Sequence, residues 1–86
     1  MAYRKATPNE AKFAWIVGPA ISRRDGWLVT LLPRGEFNLA APKNVRLTAI
    51  QFETARVNRH LIYFDGKKII AMRADENGSL FIEEKA

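Results

Sequence analysis

Short alternating runs cut by turn residues constrain this chain most. Gly18-Pro19, Arg23–Gly26, Pro33–Gly35, Asp65-Gly66 and Asp75–Gly78 punctuate the sequence. The runs between them, such as "WLVTLL" and "HLIYF", are rich in β-branched and aromatic residues and read as strands. "KFAWIV" and "AIS" flank Gly18-Pro19, which marks a bend or an edge because proline cannot donate to a ladder. "RRDG" turns the chain into "WLVTLL", and "PRG" turns it into "EFNLA", where Phe37 and Leu39 alternate with polar neighbours. Three consecutive antiparallel strands account for residues 13–40 most simply.

"APKN" (Ala41 to Asn44) interrupts this pattern before one helix, predicted over residues 48–59. Leu47, Ile50, Thr54, Val57 and Leu61 recur three and four apart, and Thr48-Ala-Ile-Gln51 has the form of a capping box. A strand reading of "VRLTAIQF" competes, since Val, Thr, Ile and Phe favour sheets. It yields because a strand running on to Phe64 would far exceed the usual ~5–6 residues. Beyond Arg59 the period returns to two. "HLIYF" and "KKIIAM" flank Asp65-Gly66, which predicts a hairpin with a two-residue type I′ turn, Tyr63 facing Lys68 and Leu61 facing Ile70. Both faces of that hairpin are partly apolar, which places it centrally in a sheet. "SLFIEE" forms the last strand. The expected fold is α+β, a small, mostly antiparallel sheet or partly open barrel in β-β-β-α-β-β-β order.

With 86 residues there is room for one domain. Residues 1–12, whose only large apolar group is Tyr3, read as a flexible basic arm ahead of a globular domain over 13–86. The absence of cysteine excludes disulfides, thiolate zinc sites and cysteine nucleophiles. The polar N-terminus carries no secretory pattern, and the apolar run Phe13–Ile21 is far below the roughly 20 residues that span a bilayer. A cytoplasmic protein without a membrane partner is the expectation.

Charge is unevenly spread. Residues 1–74 carry thirteen basic side chains against five acidic ones, while residues 75–86 carry one against four. A basic body with an acidic end suits a polyanion partner, DNA or RNA, bound chiefly through its backbone. On a helical wheel Phe52, Arg56 and Arg59 fall opposite the apolar stripe, so they predict a cationic face with one aromatic. Arg23 and Arg24 precede Trp27, Arg34 precedes Phe37, and Lys67 and Lys68 follow Asp65-Gly66. These give the candidate nucleic-acid contacts: Arg23, Arg24, Trp27, Arg34, Phe52, Arg56, Arg59, Lys67 and Lys68. No RNP1, GXXG or zinc-finger pattern names a module.

Two other classes compete. A protein-binding module or inhibitor fits the size and the acidic end, and an uncovered strand edge offers pairing to a partner or to a second copy. A ribonuclease would rest on His60 as acid or base beside Arg59, without a second histidine to share the work. The scattered carboxylates and lone histidine predict no catalytic set, no metal site and no cofactor.

Overall fold

The computed structural model describes residues 2–34 and 40–84. Along the chain these form β1 (Ala2–Lys5), α1 (Pro8–Ala11), β2 (Ala14–Ser22), β3 (Trp27–Pro33), β4 (Lys43–Leu47), α2 (Ala49–Val57), β5 (Leu61–Phe64), β6 (Ile69–Ala74) and β7 (Leu80–Glu84). The strands make one sheet in the order β1-β7-β6-β5-β2-β3-β4, every neighbouring pair antiparallel. β1 and β4 end the sheet without meeting each other, so it is open rather than closed into a barrel.

Alternation along the strands sends side chains to two separate cores. Leu61 and Tyr63 of β5 join Ala14, Met72, Leu80, Ile82 and Ala11 on one face, which α1 covers. Ile62 of the same strand joins Trp15, Val17, Val29, Leu31, Leu47 and Ala55 on the other face, which α2 covers. Buried Trp15 meets its polar requirement by donating from Nε1 to the Phe64 carbonyl at 3.0 Å. β5 lies fourth of the seven strands, in agreement with the two apolar faces read from its sequence.

The N-terminal residues differ from the expected arm. β1 pairs with β7 from Ala2↔Glu84 to Lys5↔Phe81. Tyr3 carries the Arg73 guanidinium 4.7 Å from its ring centre and accepts at its hydroxyl from Asn58 Nδ2 at 3.3 Å. Thr7-Pro8-Asn9-Glu10 is a full capping box with proline in the first turn, and Ala11 enters the core. Arg4 grips Glu10 through two bonds of 2.6 and 2.7 Å. That guanidinium, helped by the Thr7 amide and hydroxyl, holds the Glu10 carboxyl down to about 2. Order here comes from backbone pairing and caps, which a count of large apolar groups does not register.

The expected strand "EFNLA", with Phe37, falls on residues 36–39 outside the described residues, and Ala40 carries no strand. "KN" is not a break but the start of β4, which pairs with β3 from Leu31↔Lys43 to Trp27↔Leu47. The competing strand reading therefore holds for Val45–Leu47, and the helix reading from Ala49 onward. Thr48 marks the boundary. Its hydroxyl accepts from the Gln51 amide, and the Gln51 side chain accepts from the Thr48 amide.

The β5–β6 connection is also longer than expected. Phe64 pairs with Ile69 and Tyr63 with Ile70, so four residues, 65–68, form the loop. Asp65 Oδ1 accepts from the amides of both Lys67 and Lys68 at 3.0 Å, an Asx turn that outcompetes a two-residue type I′ hairpin. The register moves by two, so each side chain keeps its expected face.

Candidate functional site

The β2–β3 turn gathers the densest set of candidate residues. Ser22 Oγ accepts from the Arg24 amide at 3.3 Å. Asp25 and Gly26 then take φ of 55° and 99°, the consecutive left-handed pair expected instead at Asp65-Gly66. Arg46, opposite Leu28 on β4, donates its guanidinium to the Arg24 and Asp25 carbonyls. The turn is thus locked from the neighbouring strand.

Trp27 opens β3 opposite Leu47 and lies parallel to Phe52, ring centres 4.2 Å apart and planes 3° apart. The Arg23 guanidinium lies 4.4 Å from the same indole. Trp27 is thus packed by both the Phe52 ring and the Arg23 guanidinium. The aromatic pair contributes about 0.5–1.5 kcal/mol beyond area burial, and the cation a further ~0.5–1 kcal/mol at an exposed site. Arg23 is therefore held against the indole.

This geometry corrects the helical wheel. Phe52 faces the core with Ala55, which is 2% exposed, whereas Ile50 and Val57 are 79% and 72% exposed. Leu47 and Leu61, the strongest members of the expected stripe, belong to β4 and β5. Without them the stripe is Ile50, Thr54 and Val57. Small Ala55 lets the helix approach the sheet, and the Phe52 ring finds an aromatic partner, so the opposite row turns inward. Arg56 lies on the solvent side, paired with Glu53 at 2.9 Å. Phe52, Arg56 and Arg59 do not form one cationic face.

Arg59 instead follows the helix in the turn to β5. It and His60 take φ of 61° and 62°, a conformation costly to side-chain-bearing residues. The His60 amide donates to the Ala55 carbonyl at 2.6 Å, and its carbonyl accepts from the Val17 amide at 2.7 Å. β2 pairs with β5 only from Ala14 to Ile16. Beyond Val17, on that side, residues 18–22 have no strand neighbour among the described residues. Arg59 stands where this open edge begins; Arg23 and Arg24 stand where it ends. Two register irregularities between Val17 and Ser22 set that stretch opposite only Leu31 to Leu28 of β3, about 10 Å at ~3.3 Å per residue.

The remaining candidates lie elsewhere. The Phe64 amide donates to the Phe13 carbonyl, which sets Lys67 and Lys68 beside the start of β2 rather than its end. Arg34 follows Pro33, whose partner is Trp15, again at the start of β2. Of the nine candidates, Arg23, Arg24, Trp27 and Phe52 converge, with Arg59 along the same edge. Arg46 was missed, though its alternation with Val45 and Leu47 is visible once that stretch is read as a strand.

Among the described residues, ion pairs join Arg4 to Glu10 and Glu84, and Arg56 to Glu53. Arg23, Arg24 and Arg59 take part in none of them. Also among these residues, no three His, Asp or Glu side chains converge so as to hold a metal ion. No described helix is long and apolar enough to cross a membrane. Comparison with protein-family models, curated proteins and solved structures finds no match to this chain.

Proposed function

We propose that this protein binds nucleic acid through the phosphate backbone, along the open half of β2, and acts by binding rather than catalysis. The observation that carries the reading is the placing of Arg23, Arg24 and Arg59, outside those ion pairs, at the two ends of one unpaired strand edge. Guanidinium groups offer forked donors that match phosphate oxygens, and Arg23 is already oriented by its contact with Trp27. Pro19 within the edge lacks an amide hydrogen, which discourages pairing with another strand and leaves the edge to a different kind of partner.

The stacking also bears on specificity. Trp27 is already packed by Phe52 and Arg23, so the chain's own groups compete with a base for these rings. Recognition then rests on charge and falls steeply with salt, with little preference among sequences.

The test is binding of labelled single-stranded and duplex oligonucleotides across a salt series. Wild-type affinity should drop linearly on log–log axes. Arg23→Ala/Arg24→Ala should flatten the single-strand slope by about 1.4 units, two contacts at about 0.7 each. Lys67→Ala, at the other end of β2, should leave the slope unchanged. An unaltered slope in the folded double variant, or no binding by the wild type, rejects the reading.

A further inference from the structure

The apolar row that α2 turns away from the core has a second setting. Ile50 and Thr54 form one wall of a groove of about 480 Å³, and Val57, three residues on, continues the row at the helix end. The floor is Ile69 and Ala71 of β6. Lys68, just before β6, and Glu83 on β7 supply its two charges. Neither belongs to the ion pairs found among the described residues. Ile50 and Val57 are more exposed than any other large apolar side chain described. Such a row beside an open groove marks a surface that binds another surface.

We propose that this groove is the interface of a two-fold symmetric dimer of the chain. The charges select the occupant. In an isologous contact, residue i of one subunit meets residue j of the other, and j meets i. A groove with one cation and one anion is complementary to its own copy, since Lys68 of each subunit then faces Glu83 of the other, twice per dimer. The apolar row packs between these two contacts and loses its exposure. This differs from the strand-edge pairing suggested by the sequence, and it stands apart from the nucleic-acid reading, whose arginines lie outside the groove.

The test is charge reversal read by sedimentation equilibrium over a range of concentrations. The wild type should dimerise. Lys68→Glu and Glu83→Lys should each raise the dimer dissociation constant on the order of tenfold or more, because each places two like-charge pairs in the contact. An equal mixture of the two variants should restore dimers, since Lys68→Glu chains then meet Glu83→Lys chains with both contacts opposite in sign. Ile50→Glu, at a position 79% exposed, should fold normally and remain monomeric. A wild type that stays monomeric at every concentration, as it would if the groove served a peptide or small ligand, overturns the proposal. So does a dimer that tolerates Ile50→Glu, or a mixture of two folded reversed variants that fails to associate.

Discussion

Asp25-Gly26 and Asp65-Gly66 are the same dipeptide built by different forces. At 25–26 both residues take positive φ, and the conformation is imposed from outside, by the Arg46 guanidinium on two turn carbonyls. At 65–66 only the glycine does, and the loop is held from within by the Asp65 carboxylate on two following amides. The surroundings differ as well. A Cβ on Gly26 would lie 2.7 Å from the Leu47 carbonyl oxygen, whereas one on Gly66 would meet nothing within 4 Å. A turn signal in sequence therefore states that the chain reverses; how it does so is decided by a neighbouring strand at 25–26 and by the loop's own side chain at 65–66.

The largest expected effect separates the two glycines. Gly26→Ala combines a strained φ with a backbone collision and should destabilise by about 2–4 kcal/mol. Gly66→Ala carries the φ strain alone and should cost about 1–2 kcal/mol. Equal losses in urea melts would show that the Leu47 contact relaxes freely and would erase the steric half of the contrast.

Arg46→Ala should come next, at about 1 kcal/mol, because its bonds are exposed and solvent replaces them in part. Its sharper readout is local. Amide exchange at Arg24–Gly26 should quicken, while residues 65–68 keep their protection. Loosening of both turns together would contradict separate supports.

The smallest effect is a pH response confined to the second turn. The amides of Lys68 and Lys67 hold the Asp65 carboxyl below its ordinary range, with a further bond from the Tyr63 hydroxyl. A carboxyl depressed in the folded state adds stability that is present above its unfolded value of about 4 and is lost as pH falls through the folded value. Acid should therefore release the Lys67 and Lys68 amides first, as seen in their NMR shifts, while the guanidinium-held turn at 25–26 persists. Simultaneous release at both turns would remove the distinction.

What could be read from residues alone follows the same division. Most local signals held, the type I′ turn at Asp65-Gly66 excepted, where the Asp65 carboxylate takes the Lys67 and Lys68 amides instead. The capping box at Thr48, the hairpin strands around Asp65-Gly66 and their central position came from spacing and propensity, and the sheet class followed. The other failures arose where a neighbour decided. α2 is too weakly amphipathic to state its own inner face, so Trp27 and the small Ala55 set it. Residues 2–12 have Tyr3 as their only large apolar group, yet β7 supplies a strand partner, and Thr7–Glu10 repeats the Thr48–Gln51 cap one residue after β1. The candidate arginines were legible as charges. Their distribution was not, because Arg23 and Arg59 meet along one edge only through the pairing of Val17 with His60.

The alternation of β5 has a consequence for how the molecule comes apart. Two cores on opposite faces of a sheet, each with its own helix, would ordinarily melt as two units of unequal strength. Four consecutive residues, Leu61 to Phe64, insert by turns into both cores. Neither layer can loosen without disturbing the strand that walls the other. The chain should accordingly lose its structure in one concerted step, with the β5 amides the last to exchange and the short β1 the first to fray.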